Sequence, residues 1–239
     1  MPFPYFIPLP ELDSGGIAGL YMITMKHFQI AEDVSLQFGP LAFLYEPVVL
    51  DSSLYISSVV LRLFSHSFFI FAIALFLLKQ SASWKQYILV FVLLPVLAFI
   101  HYIIGANDYE LLFGILILLY LIIIQKIDVR YHTPILSFVS FLLAVESLIK
   151  FNMTVSSISL IVIFSIISII NKQYRKALII CVSYGFFLST LWLVLDQNFT
   201  NLPLYFINNL ELSSGYNIVQ AIDGPKFQVV EGIIGIVFV

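Results

Sequence analysis

The residues of this chain able to do chemistry are few, and most come in short-range pairs. Arg62 and His66 are four apart inside an apolar run, so a helix carries both on one face. A charge inside a span turns to the bundle interior or to a polar cavity. An arginine fork there bonds two oxygens of a phosphate. The plainer readings are that Arg62 snorkels to the headgroups and that His66 is a hydrogen-bonded helix residue. Asp108 and Glu110 lie beside His101 in a short polar gap. They either hold a divalent cation, Mg or Mn, or form a solvated turn. Glu146 and Lys150 are again four apart and neutralise each other across one helical turn. Asp13 precedes Gly15-Gly16; it is an ordinary loop acid or a carboxylate that takes a proton from a hydroxyl. The one cysteine, Cys181, forms no internal disulfide and no CxxC site, and it reads as a small packing residue.

Elements that position these residues must be membrane helices. Apolar residues make up 61% of the 239 and charged ones 10%, with mean hydropathy +1.03. No water-soluble fold of this size hides that much apolar surface. Apolar runs near 56–78, 87–104, 111–125, 134–149, 155–171 and 177–195 approach the length of about 20 residues that spans a bilayer. The gaps 79–86, 126–133 and 172–177 hold Lys79, Lys85, Lys126, Arg130, Lys172, Arg175 and Lys176, with Asp128 as their acid. The remaining gaps are acidic. Basic loops stay in the cytoplasm, so the first span runs from outside to inside. Lys150 is the exception, a cation at an outer edge. No Lys/Arg-rich stripe exists, which leaves nucleic-acid binding without support.

The expected organisation is all-α, a polytopic bundle. Residues 1–53 form an outer-face segment, 54–195 the six spans, 196–231 a second outer loop and 232–239 the start of a further span. Within 1–53, Ile17, Leu20, Tyr21, Met25 and Phe28 recur at helical spacing, and Gly39-Pro40 and Glu46-Pro47 turn the chain. An amphipathic helix is expected around 203–212, folded against the membrane surface. The apolar end Gly232–Val239 and an outer segment with no preceding span suggest a piece of a longer protein.

An acid, then a short amphipathic stretch, then the turn Phe38-Gly39-Pro40-Leu41 leading into a span, resembles the first outer loop of GT-C-type polytopic glycosyltransferases. The resemblance carries motif content over about residues 11–60. In that family a membrane helix precedes the loop, and this chain lacks it. The resemblance implies sugar transfer from a polyprenyl-phosphate donor at the outer face of the plasma or inner membrane. Asp13 is then the catalytic acid or base. Arg62, His66, Gly39 and Pro40 are substrate-binding, and Asp108 and Glu110 hold the cation. Such a reaction needs a base for the acceptor proton and a cation for the leaving phosphate. Two other classes compete, a multispan polysaccharide polymerase or ligase and a transporter subunit. The transporter reading is weakened because 111–125 and 155–171 hold no titratable Asp, Glu, Lys, Arg or His.

Overall fold

The computed structural model describes residues 12–80, 110–124 and 127–220. Among them are seven α-helices and no strand: α1 (Leu12–Met25), α2 (Ser52–Gln80), α3 (Glu110–Ile123), α4 (His132–Ser147), α5 (Phe151–Ile170), α6 (Tyr174–Val194) and α7 (Asn201–Gln220). Three of them, α2, α5 and α6, are long and apolar enough to cross a membrane. The 14 residues of α3 reach about 21 Å at 1.5 Å each, less than a hydrocarbon core of about 30 Å. The expected span at 87–104 lies outside the described residues, as does 232–239.

Local chemistry sets where the helices begin. Asp51 stands before α2 and its Oδ1 accepts from the backbone of Ser53 at 2.9 Å and Leu54 at 3.0 Å, an N-cap. The Ser53 hydroxyl and these amides hold the Asp51 carboxyl below its usual range. Pro134 sits in the first turn of α4, where its missing N–H costs nothing.

Three helices end alike. After α1, α5 and α6 come His27, Lys172 and Asp196 with φ of 54°, 58° and 56°. In each case the next residue's N–H reaches back five positions: Phe28 to Ile23 at 3.1 Å, Gln173 to Ser168 at 2.7 Å, Gln197 to Trp192 at 3.2 Å. These are Schellman ends built without glycine.

Inter-helix contacts give the directions. His66 meets Glu110, Phe68 meets Gly114 and Phe76 meets Tyr120, so α2 and α3 run parallel. Ser140 Oγ donates to Ile180 O at 3.1 Å and Ser147 Oγ pairs with Tyr184 OH at 2.9 Å, so α4 and α6 are parallel as well. Lys176 near the start of α6 reaches Ile122 O near the end of α3 at 3.5 Å, which makes those two antiparallel. All these directions agree with the alternation expected from the basic gaps. The core is centred on α4, whose Leu136, Val139, Leu142, Leu143 and Ala144 are buried. Gly114 lets α3 approach α2 closely, because a Cβ there would stand 2.7 Å from the Phe68 ring.

Candidate functional site at the end of the bundle that carries residues 28–51

The segment between α1 and α2 folds back over one end of the bundle. Gly39 N donates to Ile149 O at 3.2 Å, Leu41 N to Leu148 O at 2.9 Å, and Phe151 N to Gln37 O at 2.8 Å. The segment is thereby stitched to the α4–α5 corner. A Cβ at Gly39 would run into the Leu148 carbonyl, so only glycine fits this approach. Pro40 follows and is buried. The Gly39-Pro40 turn is thus a docking element in the fold, whatever else it touches.

Downstream, Tyr45 and Glu46 reach the side of α2. Arg62 donates through a terminal nitrogen to Tyr45 O at 2.8 Å and stands 3.9 Å from Glu46 Oε1. Its guanidinium therefore lies level with the Tyr45-Glu46 turn. Lys150 comes from the other side. Its Nζ donates to Tyr45 OH at 3.1 Å and lies 4.4 Å from the Tyr45 ring centre and 5.5 Å from that of Phe38. Two cations, on α2 and at the α4–α5 corner, converge on one tyrosine. Below, Ser58 Oγ donates to Leu44 O at 3.2 Å. Tyr21 on α1 completes the frame: its hydroxyl donates to Glu46 O and accepts from Val48 N, both at 2.8 Å. Burial pushes the Tyr21 phenol up from its ordinary value, so it stays protonated and keeps both bonds.

One turn further along α2, His66 Nδ1 lies 2.8 Å from Glu110 Oε1. With a carboxylate as partner the nitrogen donates. The carboxylate side chain is 4% exposed and the imidazole 34%. The buried Glu110 side chain is thus matched by a polar partner on the neighbouring helix, as an apolar setting requires.

The predicted site residues are partly gathered. His66 meets Glu110 between α2 and α3, Arg62 one turn earlier on α2 meets Tyr45 and Glu46 instead, and Gly39 docks on the α4–α5 corner with Pro40 beside it. Asp13 falls in the first turn of α1, and its side chain lies outside the described residues. Asp108 lies outside them too. Glu146 and Lys150 do not share a helix: α4 stops at Ser147, and Lys150 caps α5. Among the described residues no three His, Cys, Asp or Glu side chains converge on a metal-sized point. The sequence reading missed Tyr21, Tyr45 and Glu46. Their only signals were the helical spacing that includes Tyr21 and the Tyr45-Glu46-Pro47 turn, which give position but no partner.

A second joint holds the same end together. Gln197 Oε1 accepts from Ile30 N at 2.8 Å while its Nε2 donates to Phe28 O at 3.2 Å. Reciprocally, Gln29 Nε2 donates to Asp196 O at 2.8 Å, and its Oε1 accepts from Asn198 N at 2.9 Å. The two amides clasp the segment after α1 to the link after α6. No family model, no curated protein and no solved structure matches this chain.

Proposed function

We propose that this chain is a membrane-embedded glycosyltransferase-like protein that takes a sugar from a polyprenyl-phosphate carrier at the outer membrane face. The observation that carries the reading is the convergence of Arg62 and Lys150 on Tyr45 beside Glu46. A lipid phosphate arriving beside Tyr45 would meet a fork donor near its backbone and an ammonium near its phenol. The three helices of spanning length, α2, α5 and α6, support a membrane setting, and the reading takes α3 and α4 as shortened spans in a set of six. The parallel pair α2 and α3 is what one crossing near 87–104 would produce. Asp13 serves as the base that takes the acceptor proton, and Glu46 is a second carboxylate able to do so. The leaving phosphate keeps its negative charge, which Arg62 and Lys150 offset. Asp108 and Glu110 would hold a divalent cation, Mg or Mn, that offsets the same charge, and Asp108 lies outside the described residues.

Reconstituted protein given a polyprenyl-phosphate sugar and a lipid acceptor tests the reading. Asp13→Asn abolishes transfer, and Arg62→Ala weakens retention of the polyprenyl phosphate. Arg62→Lys restores part of it, because charge returns without the fork. Unchanged turnover in Asp13→Asn together with unchanged retention in Arg62→Ala overturns the assignment.

One observation favours a second reading, transport. A His–carboxylate pair between two parallel helices is a proton-binding arrangement. Glu110→Gln then removes proton-coupled uptake in vesicles while leaving sugar transfer at zero in both forms.

A further inference from the structure

The last described helix, α7, is amphipathic in the reverse of the usual sense. Its inner face holds Leu202, Tyr205 and three asparagines. Asn201 and Asn209 are buried and Asn208 is half-buried. Asn201 Nδ2 donates to Glu32 Oε2 at 2.9 Å, and Asn208 Nδ2 to Ala31 O at 3.5 Å. The opposite face presents Leu204, Ile207 and Leu210, three residues apart along one side and 43%, 51% and 60% exposed. A surface helix in water turns its amides outward and its leucines inward. Here three amides lie on the inner side beside Leu202 and Tyr205, and the outer side is mostly apolar, with Glu211 exposed at its C-terminal end.

The depth of α7 is fixed by its inner contacts. The Tyr205 ring packs 5.6 Å from Trp192, in the last turn of α6, and 6.2 Å from Phe151, the first residue of α5. Both α5 and α6 are helices of spanning length. Both rings are buried, so they tie α7 to the level at which these two helices end. Leu193 and Val194 at the end of α6 and Phe199 in the short link are also exposed and apolar, so the lipid-facing surface of α6 continues toward α7. No Lys or Arg occurs from residue 177 to 220, so attraction to anionic headgroups adds nothing.

From these two observations, inverted polarity and a depth set by the ends of spanning helices, we propose that the Leu204–Ile207–Leu210 face of α7 is buried in the acyl boundary of the leaflet at this end of the bundle. The occupant of the face is lipid. The inference is independent of the sugar-transfer reading and stands if that fails.

The test uses the full chain in phosphatidylcholine nanodiscs, in a Cys181→Ser background. A single cysteine at 204, 207 or 210 carries an environment-sensitive fluorophore, and Thr200, exposed in the link, is the water-facing control. The expected result is blue-shifted emission at all three sites, with quenching strongest for brominated lipids whose bromines lie about 5–10 Å below the headgroups. Iodide quenches Thr200 and spares the three. Emission is the same in discs with added phosphatidylglycerol and in high salt. Efficient iodide quenching at 204, 207 and 210 overturns the proposal. So does protection from iodide without bromolipid quenching, accompanied by energy transfer between donor- and acceptor-labelled copies, which places a second chain on the face. The three positions are exposed, so labelling leaves the packed side intact. Monodisperse elution of each variant checks this, and any one folded variant is sufficient to decide.

Discussion

Tyr21 shows how one side chain organises a whole segment. Its hydroxyl is donor to Glu46 O and acceptor from Val48 N, and Val48 is buried. Tyr21→Phe leaves the Val48 N–H without its acceptor, which costs about 1–3 kcal/mol. Thermal unfolding in detergent measures the loss. The same residue sets an alkaline limit. Its folded pKa lies above the ordinary 10.0, so its contribution is complete below pH 10 and is lost as pH climbs through the raised value. Wild type therefore loses stability relative to Tyr21→Phe on going above pH 10, read by paired melting curves against tyrosinate absorbance. Lys150 carries the other lesson at this scale. It looked like the partner of Glu146 and an exception to the charge rule. Its ammonium lies over two aromatic rings and against a phenol, contacts that offset a cation at the end of a helix bundle.

At the scale of elements, the helix ends were the hard part to read. Glycine is the usual sign of a left-handed stop, yet His27, Lys172 and Asp196 fill those positions. Each holds a conformation that costs an L-residue roughly 1–2 kcal/mol. Lys172→Gly relieves that strain and gives back part of it as backbone entropy, so it raises stability by up to about 1 kcal/mol. Lys172→Val, with a branched Cβ, lowers it. Denaturant titration of both variants checks the sign. Helix positions themselves were legible. The runs expected at 56–78, 111–125, 134–149, 155–171 and 177–195 correspond to α2–α6, shifted by a few residues at each end. The helix expected around 203–212 is there and longer, as α7. Its orientation was not legible, because Asn and Leu alternate too closely for composition to say which side is wet.

For the whole molecule, the charge asymmetry and the contacts are independent and agree on direction. Residues 28–51, the α4–α5 corner and the α6–α7 link meet at one end, through the Gln29–Gln197 clasp and the Gly39–Ile149 and Leu41–Leu148 stitches. The basic turns around Arg130 and Lys172 lie at the other ends of the same helices. Impermeant thiol labelling in intact cells, with single cysteines at 51, 198 and 130, is expected to modify the first two and spare the third. Labelling at 130 with protection at 51 and 198 reverses the orientation and removes an outer active face.

Hydropathy and the placement of Lys and Arg, both local properties, were enough to anticipate an all-helical chain with helices of membrane-spanning length and the relative directions in which they pack. A helix forms from its own apolar run, and a loop's charge acts on its own crossing. Partnership was decided only by the tertiary structure. His66 finds Glu110 across 44 residues, Lys150 finds Tyr45 across 105, and Gln29 finds Asp196 across 167. In an apolar surrounding each buried polar group must be satisfied by whatever the packing brings near. No spacing within a helix records which distant residue that is.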